Sequence, residues 1–391
     1  MTLADEPHIF PLMRAVVFVS AGIGRGHRFY LEGLHAAFDT LASGGSSRLA
    51  LAREFANPQG RIFWNLADGL YRRGSQGGAF GALYNTLRKN RTATLSRTTA
   101  QIITGRLFET LASEYLVVDH PLIATAARVL GEGARVCYAH GEIATPPEAL
   151  VGDIDLILTP THECAQAFIN AGSERRISTV TGHCVETSLA LQAEHAFRSR
   201  LDRFRTQERL RIAFFSSGAE PTPHVSKIIQ AIRSTLAEGY IVYVFSRQDG
   251  RLARATRQAF PTETAGLNMR FCCDLAEEER AVAEVFVELD IFVAPAHERT
   301  HWALALGFPI FALAPHIGPF APRNWLAIEH TGVGELLSQA QDARELGGRL
   351  ARMRDAGALT RMAERGFAAE RLDGFRRGAE EILRRALRTV T

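Results

Sequence analysis

The sequence predicts an α/β protein made of two doubly wound domains that face each other across a cleft. Three observations carry this reading. Short, β-branched apolar runs alternate with helical stretches, the alternation occurs twice along 391 residues, and each half opens with a strand leading into a glycine-containing turn. Strands alternating with helices call for right-handed crossovers and a parallel sheet. A chain of this length has room for two such domains.

Ala15–Ser20 (AVVFVS) is apolar and β-branched, as a strand covered on both faces must be. The glycine loop Ala21–His27 follows, then a helix from Phe29 to about Leu41. Further strands are expected at Tyr115–Val118, Arg135–Tyr138, Ile154–Leu158 and Ile177–Val180. The second half repeats the pattern, with strands at Arg211–Phe215, Ile241–Phe245, Met269–Cys272, Ile291–Ala294 and Ile310–Leu313. Its helices are expected at Val225–Ala237, Glu277–Glu288, Thr300–Leu306 and Pro322–His330, and the arginine-rich tail from Asp342 is helical. The polar stretch Glu186–Arg209 reads as a linker with a connecting helix, which gives domains at 1–185 and 210–391. Ligands of such folds sit at the carboxyl ends of the strands.

Composition excludes several classes. The 45 basic and 42 acidic residues leave a formal charge of +3, too small a bias to indicate a nucleic-acid partner. Cys137, Cys164, Cys184, Cys272 and Cys273 form no CxxC pair, so neither a zinc site nor a disulfide framework is expected, and a reducing cytoplasm is the natural compartment. Met1–Arg14 lacks the apolar core of a signal peptide. The longest apolar run, Ala303–Pro315, falls short of the ~20 residues that span a bilayer. Residues 53–109 combine arginines with Phe55, Phe63, Trp64, Tyr71, Phe80 and Tyr84, beside Arg88, Lys89 and Arg91. That mixture suits ordinary packed helices, or a surface meeting anionic lipid at the inner face of a membrane.

The strongest local feature is Ser20-Ala-Gly-Ile-Gly-Arg-Gly-His27, a strand running through glycines into a helix. Its spacing is not that of the dinucleotide fingerprint. Glycines there bring backbone N–H groups close to a ligand, and a helix N-terminus favours negative charge. His27 is a candidate base or hydrogen-bond donor, against a plain packing role. Asp119 and the run His140-Gly141-Glu142 each follow a strand and so reach the cleft, although capping competes for Asp119. Glu298, Thr300 and His301 open a helix, where capping competes with ligand contact. Arg247 follows a strand and reads as solvated or phosphate-pairing, and Asn324 as a helix cap.

Together these residues resemble the glycosyltransferases of family 28, which include monogalactosyldiacylglycerol synthases, diacylglycerol glucosyltransferases and the transferase that completes lipid II. Ser20–Leu34 resembles the family's N-terminal loop, with His27 and Arg28 at its "GGGHR" positions, and Asp119-His120-Pro121-Leu122 resembles its acceptor-side "HPL" turn. Asp155–Pro160 through Val180-Thr181-Gly182, Arg211–Gly218, Ala303–Pro309, and Asn324 with Gly332-Val-Gly334 resemble the remaining signature. The resemblance implies two Rossmann-like domains (the GT-B fold) and an inverting reaction that uses neither metal nor cofactor. The donor nucleotide sugar would lie in the C-terminal half, against Ser217, Gly218, Ala219, Arg247, Glu298, Thr300, His301, Trp302 and Asn324. The acceptor, a hydroxyl compound that is amphipathic or lipid-linked, would meet Gly24, Gly26, Arg28, His120, His140 and Glu142 in the other half.

The donor side departs from the family. Trp302 stands where the family's ribose-reading Glu is expected, five residues before Gly307, and an aromatic there could stack on a base or sugar. The family's Gln-Glu before the Asn is replaced around Pro319–Arg323, and Gly182 is followed by His183 and Cys184 instead of Pro. The expectation is therefore a metal-independent glycosyltransferase, with His27 or Asp119 as base and the Ser217–Ala219 amides holding the departing diphosphate. The alternatives are a non-catalytic sugar-nucleotide or glycan binder on the same scaffold, and a nucleotide-sugar epimerase, which would need carboxylates near the sugar.

Overall fold

The computed structural model describes residues 15–24, 26–42, 47–76, 86, 94–131, 134–174, 177–368 and 371–387. Among them lie two six-stranded parallel sheets. The first holds β1 (Val16–Ser20), β2 (Ser47–Leu51), β3 (Tyr115–Val118), β4 (Arg135–Ala139), β5 (Leu156–Thr159) and β6 (Ser178–Val180) in the order β2-β1-β3-β4-β5-β6. The second holds β7 (Arg211–Phe215), β8 (Ile241–Arg247), β9 (Leu267–Cys272), β10 (Ile291–Ala294), β11 (Ile310–Leu313) and β12 (Gly334–Leu337) in the order β12-β11-β10-β7-β8-β9. These are the two doubly wound domains that the sequence predicts.

Each sheet is covered on both faces. In the first, Val17, Val19, Leu116 and Val118 point to one apolar cluster and Val16, Phe18, Tyr115 and Val117 to the other. In the second, Ala213, Phe215, Phe292 and Ala294 face one side and Ile212, Phe214, Ile291 and Val293 the other. This two-sided burial explains why the central strands read as unbroken apolar runs. Several helices start on side-chain caps. Asn57 accepts from Gly60 N (2.8 Å), Thr161 from Cys164 N (3.2 Å) and Asp274 from Glu277 N (2.8 Å).

Two strands, β2 and β12, escape the sequence reading, and both are edge strands. β2 exposes Arg48 and Leu49, and β12 buries only Leu337, so neither shows an apolar run. The stretch taken as a linker also belongs to a core. Its helix Ala193–Thr206 buries Ala193, Ala196 and Phe204 against the second sheet. The guanidinium of its Arg200, fully buried, donates to the carbonyls of Leu289, Leu306 and Gly307.

The last described helix packs on the first domain. The helix Gly374–Leu387 lies along the helix Gly26–Ala42, so the tail does not complete the C-terminal domain as the 210–391 boundary implies. The reason is an apolar stripe, Phe375, Ala379, Ile382 and Ala386, which joins Phe29, Leu31, Leu34 and Phe38. Its arginines are engaged with acids of their own helix turn, Arg376 and Arg377 with Asp373, and Arg384 and Arg385 with Glu381. Within 53–109, the helix Pro58–Gly74 buries Trp64, whose indole N–H donates to Ile103 O (2.8 Å), and exposes Ile62, Leu66 and Leu70. Phe80, Tyr84, Arg88, Lys89 and Arg91 lie outside the described residues, as does Arg25. No helix among the described residues is long and apolar enough to cross a membrane.

The C-terminal helix yields a test. Phe375 packs edge-on against Phe29 (5.6 Å between rings) and over Gly33, where any side chain would strike it. Phe375→Ala is expected to cost roughly 3–5 kcal/mol of stability, the usual penalty for emptying an aromatic site. Urea denaturation followed by a probe in the first domain checks this.

Candidate functional site

In an open parallel sheet, a crevice forms outside the carboxyl ends where the strand order reverses. The first sheet reverses between β1 and β3 and the second between β7 and β10. The fold turns these two crevices toward each other. Between them lies a cavity of about 770 Å³, open to solvent, lined from both domains.

On the N-terminal side, Ser20 Oγ donates to Asp119 Oδ2 (2.6 Å) and Ala21 N to Asp119 Oδ1 (3.0 Å). This pair ties the end of β1 to the end of β3 and launches the glycine loop. Gly24 takes φ +72°, and a Cβ there would press on the Tyr71 ring at 3.0 Å. The loop delivers Gly24, Gly26 and His27 to the cavity, where the His27 ring lies 5.2 Å from His120 and 5.9 Å from Phe320. Asp119 itself is fully buried and outside the lining, and burial lifts its carboxyl to about 6 against the hydrogen bonds from Ser20 and Ala21.

Glu142 reaches the cavity from the loop after β4, close enough to Gly26 that a Cβ there would sit 3.3 Å from its Oε1. Burial pushes its carboxyl up to about 7; the hydrogen bond from Asn324 opposes the rise and the charge of Glu298 adds to it. Glu298 lines the opposite wall beside His297, Ser217 and Gly218, with Arg299 Nη1 at 3.1 Å from its Oε1. The buried Arg299 also pairs with Glu278 and lies over the Phe215 ring. The described lining contains no lysine or arginine. Backbone N–H groups of the glycine turns and the N-terminus of the helix Gly26–Ala42 suit an anionic ligand there.

The walls are held together by a polar seam. His301 Nε2 donates to Gly141 O (2.8 Å), and its Nδ1 accepts from Cys184 N (3.2 Å) with His183 Nδ1 also at 3.2 Å. Burial keeps this imidazole neutral, its pKa well below the ordinary histidine value. Asn324 Nδ2 donates to Glu142 Oε2 (3.1 Å) and to Ala296 O (3.2 Å), and Trp302 Nε1 donates to Glu186 Oε2 (2.8 Å).

The sequence-predicted residues thus separate into groups. Gly24, Gly26, His27, His120, Glu142, Ser217, Gly218 and Glu298 line the cavity together. His301, Asn324 and Trp302 form the seam behind it. Trp302 is buried among Phe215, Phe292 and Phe308, so its ring stacks on protein and not on a ligand. Thr300 is fully buried, while His140 is buried against Thr145 (3.1 Å), and Ala219 lies beside the lining turn without joining it. Arg28 pairs with Glu32 (2.6 Å) and Arg247 with Asp249 (2.7 Å), both exposed. The Gly332-Val-Gly334 pair serves packing, with Gly332 ending a helix at φ +67° and Gly334 pressed against Ile310. The lining further includes Tyr71 and Ser75, from the helix Pro58–Gly74 and the turn after it, together with His297 and Phe320. His297 was findable, because it follows β10 as Asp119 follows β3. Among the described residues no cluster of His, Cys, Asp and Glu is placed to hold a metal ion.

The sequence matches no family model and no curated protein. The fold has many solved relatives. A UDP-GlcNAc 2-epimerase from Neisseria meningitidis, bound to UDP-GlcNAc, superposes with a TM-score of 0.58 at 12% identity, over 96% of this chain and 100% of that one. The S. aureus MnaA–UDP structure gives 0.58 at 11% identity over 95% of each chain. Another UDP-N-acetylglucosamine 2-epimerase gives 0.53 at 14%, over 95% of this chain and 96% of that one. At these identities the likeness is one of fold, a GT-B-like pair of domains. The particular likeness to family 28 has no counterpart among these matches.

A carboxyl raised by burial costs stability as pH rises. Below the ordinary glutamate range both states of Glu142 are protonated and it contributes nothing. Between about pH 4.5 and 7 the unfolded chain ionises first, so the native state loses ground until its own carboxyl titrates near 7. Glu142→Gln is therefore expected to stabilise the protein at pH 8 by on the order of 2–3 kcal/mol, and to change little at pH 4. Chemical denaturation at the two pH values checks this.

Proposed function

We propose that the protein is an enzyme acting on a nucleotide-activated sugar in this cleft, and that its chemistry is an epimerase-type proton transfer at the sugar. The observation that carries the reading is Glu142, a buried carboxyl that lines the cavity and has its pKa near neutrality, facing Glu298 across the same space. A group poised there can both take and return a proton at pH 7. A sugar C–H next to the anomeric carbon is removable only if its electron pair has somewhere to go. Breaking the anomeric C–O bond provides it: the proton passes to Glu142, a C=C bond forms, and the diphosphate leaves with the C–O electrons. Inversion then needs a proton delivered to the other face by a second acid, for which Glu298 is the candidate, while the diphosphate re-forms its C–O bond and Glu142 releases its own proton to solvent. The Ser217–Gly218 and Gly24–Gly26 turns would cradle the diphosphate between departure and return. Support also comes from the solved 2-epimerases of the same fold, one of which holds UDP-GlcNAc and another UDP.

A second reading, an inverting glycosyltransferase, is favoured by the position of His27. It occupies a half-buried part of the wall beside Tyr71 and Ser75, where an incoming hydroxyl could be deprotonated. Tyr71 belongs to the helix that exposes Ile62, Leu66 and Leu70, a stripe suited to an amphipathic or lipid-borne acceptor near a membrane surface.

Incubation with a panel of nucleotide sugars in D₂O separates the readings. Epimerisation places deuterium on a ring carbon without any acceptor, and Glu142→Gln lowers that exchange roughly 10²–10⁴-fold, whereas His27→Ala leaves more of it. Transfer instead needs an acceptor, leaves ring carbons protonated and is lost in His27→Ala. Nucleotide binding with neither outcome marks a binding protein.

A further inference from the structure

The cavity turn after β7 is held by a residue outside the lining. Glu220 accepts from Ser246 Oγ on β8 (2.9 Å) and from the backbone N–H groups of Arg251 and Leu252 (3.2 Å for the latter). Those two amides open the helix Arg251–Ala259, whose four leading N–H groups have no partner within the helix. The grip is reciprocal, since Arg251 Nη1 donates to Glu220 O (2.8 Å). Glu220 N closes the turn by donating to Ser217 O (3.0 Å). Between those ends lie Gly218, which with Ser217 forms the cavity wall, and Ala219.

The backbone at Glu220 also has an unusual conformation. Its φ is +45°, in the left-handed region that costs a non-glycine residue energy. A turn built for ease alone would place glycine there. Strain of this kind persists where the surroundings over-determine it, and here the surroundings are the three contacts of the carboxylate. The helix Arg251–Ala259 is thus supplied with an anion by the protein itself.

We propose that Glu220 is the positioning residue of the ligand cradle. Its carboxylate, anchored on β8 and the N-terminus of the Arg251 helix, fixes the Ser217–Gly218 amides at the cavity wall in the orientation that receives the anionic group of the ligand. The binding part of this proposal rests on the nucleotide-sugar reading; the ordering of the turn does not.

The test uses the full chain and three variants. Glu220→Gly removes the carboxylate while relieving the backbone, Glu220→Ala removes it without relief, and Glu220→Gln keeps a side-chain acceptor. Amide hydrogen exchange across 216–219 reads the ordering of the turn, and calorimetry with inorganic pyrophosphate and with UDP reads the cradle. Exchange is expected to quicken about tenfold or more in the Gly and Ala variants and to be largely restored in Gln. Affinity for both probes should fall by a similar factor, because a loosened turn must be ordered on binding. A purely structural role would lower the melting temperature while the folded protein kept its affinity. Wild-type exchange and affinity in Glu220→Gly would overturn the proposal, since the carboxylate would then be dispensable. If wild type binds neither probe, the nucleotide-sugar reading falls, and exchange in the variants alone decides whether Glu220 orders the turn.

Discussion

A neutral imidazole joins the two domains behind the cavity. His301 leaves the second domain and spends both ring nitrogens on the first, one on the Gly141 carbonyl and one on the Cys184 amide. Only the Nε2–H form satisfies both partners, and burial keeps the ring neutral. Gly141 immediately precedes Glu142, so the contact that closes the domains also fixes the carboxyl that closure exposes to Glu298. Asn324 repeats the pattern from a neighbouring helix by gripping Glu142 directly while anchored on the Ala296 carbonyl. Closure and the placement of the acid group are thus one set of bonds.

How much of this was legible follows from where each group sits. Strands β1, β3, β7, β10 and β11 are buried on both faces and so declare themselves as apolar runs. Edge strands β2 and β12 carry no such mark, because a strand with one open side tolerates Arg48 or Glu335. The return of the last helix to the first domain depends on Phe375 meeting Gly33, a pairing of residues far apart in sequence that no local pattern encodes.

The site divides the same way. His27, His120, Glu142, Ser217 and Gly218 were readable because each follows a strand, and strand ends in parallel sheets converge. Tyr71 and Ser75 were not, since they arrive through a long excursion between β2 and β3 whose helices follow no strand-end rule. Motif likeness misled where the same small residues serve packing. Trp302 fills an aromatic core against Phe215 and Phe308, and Gly334 makes room for the Ile310 carbonyl. A motif shows that a backbone path is shared; whether a ligand lies beside it depends on side chains the motif leaves free.

The placement of charge carries the argument one step further. Asp119 and Glu142 are both buried at strand ends of the first domain, and both have carboxyls raised toward neutrality. Only one of them meets the cavity. Asp119 has each oxygen occupied, by Ser20 and by Ala21, so its raised pKa accompanies a structural tie. Glu142 instead lines the cavity, with Oε2 on Asn324 and Oε1 close to Gly26. Two carboxyls with similarly raised pKa values therefore sit in different surroundings, one tied between strands and one at the cavity. The second domain brings to the described lining no lysine or arginine that would draw Glu142 toward its ionised form. A lysine at that wall would hold a diphosphate more tightly, and would also lower the pKa of Glu142.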